Sequence, residues 1–379
     1  MRVVRVAIVT ESFLPTLNGV TTSVCRVLDH LADTGHEAMV VCPGPAPAAY
    51  RGFPVRTVRG VTVRGFRVGV PTFELERILA DYAPQVVHAA SPFGHGARGL
   101  AAARNLGLPS VAVYQTDMPT YLAQHGGPIS GGVERATWRW LRHLHSLADI
   151  TLAPSSTTLQ ELNDHGIPRT ALWGRGVDTV TYHPDRRFEE EVADLRRCVA
   201  PHGETVLGYV GRLAPEKEIH RLAEVADLPH TSIVIVGDGP SRDRLERLLP
   251  KAHFLGFREG LPLAQAYAAL DLFVHTGCHE TFGQTLQEAM AAGLPVVAPA
   301  AGGPLDIVKP GVTGLLFDPE RDGALRQAVG SLAADESMRT RMGASGRRKV
   351  EQRSWASVVD QLLDFYADAI NPAYARRVA

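Results

Sequence analysis

Cysteine is scarce. Cys25, Cys42, Cys198 and Cys278 are the only four in 379 residues, and none forms a C-x-x-C pair or a metal-ligand spacing. That leaves out thiolate zinc sites and redox dithiols, and reduced, mostly buried thiols of a cytosolic protein are expected. No stretch approaches the roughly 18 consecutive apolar residues that a membrane span requires. Met1–Thr10 alternates into a strand and lacks the apolar core and cleavage site of a signal peptide, so the chain is expected to stay inside the cell. An excess of one charge is missing too: 39 basic side chains face 40 acidic ones, which gives nucleic acid no global electrostatic footing. Lysine is the rarest charged residue, with four in the chain and none before residue 183. The first 182 residues therefore carry 16 arginines against 13 acids, a net of +3, and the remainder nets −4. No solenoid-period repeat and no low-complexity tract is visible.

What is present is the balance of a soluble globular protein, 45% hydrophobic and 21% charged, in a chain too long for one ordinary core. Short apolar runs recur at residues 3–9, 38–41, 86–88, 111–114 and 150–153, then again at 205–210, 232–236, 272–275, 296–298 and 315–317. Helix-length segments separate them. This is the rhythm of βαβ units with parallel sheets buried on both faces. Two series in one chain predict two Rossmann-like domains facing a cleft, in an α/β architecture. His183-Pro184-Asp185 breaks the pattern, so the expected domains are residues 1–182 and 183–353. Residues 354–379 hold a last helix, over 355–370. Ligands in open α/β sheets sit beyond the carboxyl ends of the strands, so the residues after each strand are the informative ones.

After the first strand, Asn18-Gly19 opens a helix near Thr21, either as a plain βα turn or as a close backbone approach to an anion. After the run 205–210 comes Gly211-Arg212-Leu213-Ala214-Pro215-Glu216-Lys217, with a helix expected over 218–226. Arginine offers a planar fork and lysine a point charge to phosphate oxygens, so the pair could hold a diphosphate without a metal. The alternative is two solvated cations flanking a turn. After the run 272–275 comes His279-Glu280-Thr281-Phe282-Gly283-Gln284-Thr285-Leu286-Gln287-Glu288. Glu280 is read as lying just before a helix start, with Glu288 two turns further along. Eight residues apart, these carboxylates cannot form one acid–base dyad and suit opposite ends of an extended ligand; otherwise they are an N-cap and a helix-surface acid. Gly302-Gly303 opens another helix after a strand. Gly237-Asp238-Gly239-Pro240 is the same device, read as fold punctuation.

On these residues the chain resembles glycosyltransferase family 4, which has the GT-B architecture. The most specific marks are Glu280 and Glu288 in the context Glu280-Thr281-Phe282-Gly283. Tyr114-Gln115-Thr116-Asp117 and Trp173-Gly174-Arg175-Gly176-Val177-Asp178 resemble the actinobacterial GDP-mannose-dependent α-mannosyltransferases that act on glycolipids. The resemblance implies a retaining, metal-independent transfer of a sugar, mannose from GDP-mannose, onto a glycolipid hydroxyl, with no cofactor beyond the sugar nucleotide. Arg212 and Lys217 would hold the donor diphosphate, Glu280 with the Phe282 and Gly283 amides the sugar, and Glu288 the ribose. Asn18, Gly19, Gly211, Thr281, Gln284 and Thr285 complete the donor set, and Asp117, Tyr114 and His88 form the acceptor set. Asp117 and Glu280 join Arg212 and Lys217 as catalytic candidates, Asp117 standing where many relatives carry a histidine. The final helix would cross back to the N-terminal domain, as in the family. A UDP-sugar donor with a small soluble acceptor is the alternative, and a sugar-nucleotide epimerase or hydrolase is the rival class.

A lipid-linked acceptor finds support in the sequence itself. Arg51, Arg56, Arg59, Arg64, Arg67 and Arg77 crowd one segment. A helix over 132–149 carries Arg135, Trp138, Arg139, Trp140, Arg142, His143 and His145. Such a helix suits either an anionic membrane surface, placing the protein peripherally at the inner face, or a tryptophan-packed helix with a solvated basic face.

Overall fold

A computed structural model of the protein describes residues 3–63, 66–69, 74–91, 94–115 and 131–371. They form two compact units, Met1–Arg175 with Trp355–Ala379, and Gly176–Ser354. The division falls after Arg175. His183-Pro184-Asp185 lies inside the second unit, where His183 caps a short 3-10 helix, Pro184–Phe188.

The first unit is built on an eight-stranded sheet. Its strands are β1 (Arg5–Val9), β2 (Glu37–Pro43), β3 (Ala49–Tyr50), β4 (Phe53–Val58), and then, beyond a separate hairpin of β5 (Gly60–Val63) and β6 (Phe66–Gly69), β7 (Val86–Ala89), β8 (Ser110–Val113), β9 (Ile150–Ala153) and β10 (Thr170–Leu172). The order is β10-β9-β8-β7-β1-β2-β4-β3, parallel except for β3 against β4. Strands β7, β8 and β9 are buried along their whole length, as strands covered on both faces must be. The helix Trp355–Ile370 belongs to this unit. Val358, Val359, Leu362, Leu363 and Tyr366, spaced for one helical face, are all buried in its core. Each such side chain contributes about 1.5–3 kcal/mol relative to exposure. Three polar contacts fix the helix: Trp173 Nε1 donates to the Val358 carbonyl at 2.9 Å, His88 Nδ1 meets the Tyr366 hydroxyl at 2.5 Å, and His30 meets Asp360 at 2.8 Å.

The second unit carries β11 (Thr205–Val210), β12 (Thr231–Val236), β13 (His253–Gly256), β14 (Leu272–Val274), β15 (Val296–Pro299) and β16 (Gly314–Phe317), all parallel, in the order β13-β12-β11-β14-β15-β16. Both sheets are Rossmann-like, and in both the winding reverses beside the first strand. The reversal lies between β1 and β7 in one unit and between β11 and β14 in the other. Those are the topological switch points at which α/β sheets bind ligands.

Two local expectations change. Residues 218–226 form a 3-10 helix, Ile219–Val225, in place of an α-helix, because Glu218 stands in the left-handed region at φ 49°. Its carboxylate accepts from the Cys278 amide and pairs with Arg221, which holds that conformation. The helix after Glu280 begins only at Gln284 (Gln284–Ala291), with Gly283 at φ 105° as its cap, so Glu280 is neither N-cap nor first-turn residue. Among the described residues no helix is long and apolar enough to cross a membrane.

Candidate functional site

In the second unit the loops leaving β11 and β14 are stitched together at the switch point. Thr276 Oγ1 donates to the Lys217 carbonyl at 2.7 Å, and the Cys278 amide donates to Glu218 at 3.3 Å. Behind them stands the Gly237–Pro240 turn. Leu213 N donates to the Asp238 carbonyl and Ser241 N to the Leu213 carbonyl, both at 2.9 Å. A Cβ on Gly237 would meet the Gly211 carbonyl oxygen at 1.9 Å, so only glycine lets these two strand ends approach. On the other side Gly303 N donates to the Glu280 carbonyl at 2.7 Å, and a Cβ on Gly303 would lie 2.2 Å from the Phe282 carbonyl oxygen.

This framework brings Lys217 and Glu280 into contact, Nζ to Oε2 at 2.8 Å, with both side chains mostly buried. Arg212 points outward, 54% exposed, and pairs with Glu216. Phe282 is buried. Thr281 is half-buried beside it. Glu288 is half-buried one helix side away and accepts from the Tyr267 hydroxyl at 3.0 Å. Gln284 Nε2 donates to the Gly176 carbonyl at 3.1 Å, which ties the helix start to the entry of this unit, and Thr285 follows it on the first turn.

Three groups here were not singled out from the sequence. Tyr209 is buried, its hydroxyl donating to the Arg212 carbonyl at 3.4 Å, and burial with Glu280 and Glu216 nearby pushes its pKa up. Tyr267 is raised by burial and then by the Glu288 charge. His275 stands directly after β14, 3% exposed, its Nε2 3.9 Å from Glu280 Oε2. Burial lowers its pKa to about 4 against the opposing pull of Glu280. Only His275 had a sequence cue, its place directly after a strand; Tyr209 lies within β11 and Tyr267 on the helix Gly260–Ala268.

At the switch point of the first unit Asn18 caps the helix Gly19–Asp33, its Oδ1 accepting from Val20 and Thr21 amides at 3.0 Å. Those two amides are thereby already engaged. Gly19 faces Arg175, whose Nη1 would lie 2.9 Å from a Cβ added there. Arg175 donates to Gln115 Oε1 at 2.6 Å, and Gln115 Nε2 donates to the Ala90 carbonyl at 2.7 Å. Glu11 accepts from the His95 and Gly96 amides at the start of the helix His95–Asn105. The acceptor candidates fare differently. His88 is a core residue, 2% exposed, bonded to Tyr366, its pKa lowered to about 3 by burial. Tyr114 is also core, packed with Trp138 and Leu141. Asp117 lies outside the described residues.

The basic helix spans Gly131–His145. Trp138 is buried and stacks on His165 at 3.7 Å, so the paired-tryptophan surface reading is corrected: only Trp140 is exposed. Arg135, Arg139, Arg142 and His143 are exposed, and Arg139, Arg142 and His143 line a shallow cavity of about 390 Å³ with Gly166. His145 is buried against Thr151. Among the described residues no group of three or more metal-ligating side chains converges.

Residues 17–181 match the family model "Glycosyltransferase Family 4" and residues 194–349 match "Glycosyl transferases group 1". A GDP-mannose-dependent alpha-mannosyltransferase of Mycobacterium tuberculosis is 48% identical over 96% of this chain and 96% of its own. One of Corynebacterium glutamicum is 42% identical over 98% and 90%. The Anabaena protein HepE, solved in complex with UDP, superposes with a TM-score of 0.79 at 20% identity over 96% of this chain and 99% of that one. That last likeness establishes the GT-B fold.

Proposed function

The chain belongs to glycosyltransferase family 4 and is a glycosyltransferase, and on that premise we propose that it moves mannose from GDP-mannose onto a glycolipid hydroxyl, with retention and without a metal. The observation that carries the reading is the meeting of Lys217 and Glu280 at the switch point of the second sheet, on a loop that also carries Arg212. Arg212 and Lys217 supply two positive charges where a leaving diphosphate gains negative charge, the role a divalent cation would otherwise take. Glu280 takes sugar hydroxyls, and Glu288, oriented by the Tyr267 hydroxyl, takes the ribose. Retention follows a front-face path in which the leaving diphosphate accepts the acceptor's proton. The exposed basic face of Gly131–His145, with Trp140 at its edge, favours an acceptor presented at an anionic lipid surface.

The test is release of GDP from GDP-mannose with and without a glycolipid acceptor in anionic vesicles, in excess chelator, with the product anomer read by NMR. Acceptor-dependent release giving an α-linked product is expected. Release without acceptor would point to a hydrolase or epimerase, and turnover confined to UDP-sugars would overturn the donor. Loss in chelator with rescue by magnesium or manganese would overturn the metal-free step. Turnover on soluble sugars without vesicle binding would overturn the lipid acceptor.

A further inference from the structure

His275 is a buried polar side chain whose two ring nitrogens make no hydrogen bond of normal geometry among the described residues, the Gly277 backbone being the nearest such contact. Its backbone is fixed, the amide donating to the Val297 carbonyl at 2.8 Å. Replacing an unsatisfied buried polar group by an apolar one of similar size is neutral or stabilising. Core packing therefore gives no reason for an imidazole here. The geometry supplies one. Glu280 Oε2 has Lys217 Nζ at 2.8 Å and His275 Nε2 at 3.9 Å, so the ammonium and the imidazole converge on one oxygen. The charged groups around the ring are Glu280, Lys217 and Glu218, and burial keeps the imidazole neutral, with a single N–H to give.

We propose that His275 is a positioning residue: when Lys217 leaves Glu280 for a donor phosphate, the imidazole Nε2–H takes its place on the carboxylate and holds it toward the donor sugar. This rests on the donor reading above. The ligand-free distance is long for a hydrogen bond, as such contacts commonly are before the substrate complex forms. Closing it requires a shift of about 1 Å, which the removal of Lys217 from the same oxygen permits. Without His275, a mostly buried carboxylate that has lost its cation would turn toward whatever donor remained, and Glu280 would no longer present a fixed acceptor to the sugar hydroxyls.

The test is calorimetric titration of GDP and of GDP-mannose into wild type, His275→Leu, His275→Gln, Glu280→Gln and the His275→Leu/Glu280→Gln double variant, with thermal unfolding of each. His275→Leu is expected to unfold at or above the wild-type temperature and to bind GDP within about 2-fold of wild type. It should bind GDP-mannose about 10-fold more weakly, a loss of the size of one hydrogen bond to a charged group. His275→Gln, whose amide can donate from a similar place, should recover most of the loss. The double variant should be no weaker than Glu280→Gln alone, because both changes remove one interaction. Wild-type affinity for GDP-mannose in His275→Leu, with Glu280→Gln impaired, overturns the role of His275 alone. Failure of His275→Gln to exceed a folded His275→Leu does the same, and if the leucine variant does not fold, the glutamine variant carries the comparison by keeping or losing the preference for GDP-mannose over GDP. No loss in Glu280→Gln, or no such preference in wild type, overturns the donor reading and this inference with it.

Discussion

Lys217 and Glu280 neutralise each other in the ligand-free chain, and this sets what their replacement does. Lys217→Ala removes the proposed diphosphate cation and also takes the ammonium at 2.8 Å from Glu280, a mostly buried carboxylate, so both turnover and local order should suffer. Arg212 is exposed, but its partner Glu216 is only 15% exposed, so Arg212→Ala should slow transfer and also cost some stability by taking the cation from a mostly buried carboxylate. Each substitution is expected to lower turnover efficiency by about 10–100-fold, the equivalent of about 1.5–3 kcal/mol for one charge-assisted contact. Steady-state kinetics on the two variants, with urea unfolding alongside, checks both halves; wild-type kinetics in either would remove that residue from the donor loop. At this scale the sequence offered residue type and strand-end place, which together single out Arg212, Lys217 and Glu280 as candidates. It was silent where tertiary contact decides. His88 reads like a strand-end ligand, yet its ring turns inward to Tyr366, nearly three hundred positions away in the chain. Arg175 stands in a legible motif, but nothing in its neighbours tells of Gln115 or Gly19.

Among the elements, the helix Trp355–Ile370 is the most legible, since its apolar spacing is regular and its whole buried face follows from that spacing. Strand β4 is hard to read because only Val55 and Val58 of its six residues are buried, leaving no apolar run. Strand β13 is an edge strand with every residue half-buried, and it is hidden for the same reason. Ile219–Val225 reads as a helix, and what tightens it is the Glu218 contact with a loop sixty residues on. The returning helix carries a prediction of its own. Tyr366→Phe keeps the ring packing but leaves His88 Nδ1 buried without its partner, and should cost about 1–3 kcal/mol. Leu362→Ala, in the same buried face, should cost about 2–5 kcal/mol through lost burial and a cavity. Denaturant midpoints measure both. If Tyr366→Phe proves as stable as wild type, the His88 contact contributes nothing.

Across the whole molecule, the described residues include five buried histidines whose pKa is lowered: His88 to about 3, His95, His145 and His275 to about 4, and His36 in the same direction. In every case the first cause is burial. An unfolded histidine takes a proton near pH 6.5, whereas these refuse one until below that, so the unfolded state binds more protons as the pH falls. The stability they preserve is therefore complete above about pH 6.5 and drains away between there and about pH 4, by about 1.4 kcal/mol per pH unit for each of His88, His95, His145 and His275. Four of the five lie in the first unit and one in the second. The first unit should accordingly be the acid-sensitive one. Urea unfolding at pH 7.5, 6.5 and 5.5, followed by hydrogen exchange, should show protection falling first around β7, β8 and β9; equal loss in both units would contradict this. The two-unit winding was legible from the central strands, because buried parallel strands advertise themselves as short apolar runs.

The first unit is not continuous in the chain, and that bears on how the protein is made. Residues Met1–Arg175 leave the ribosome before the helix Trp355–Ile370, so the core they build lacks Val359, Leu362, Leu363 and Tyr366 until that helix has been made. Between the two pieces lie Gly176–Ser354, which at ordinary rates of synthesis take on the order of ten to forty seconds to appear. For that interval the nascent first unit shows bare the apolar groove that the last helix will fill, while the second unit, continuous in the chain, can close on its own. A release that comes early yields one finished unit and one open one, and the open one is the surface a chaperone would meet.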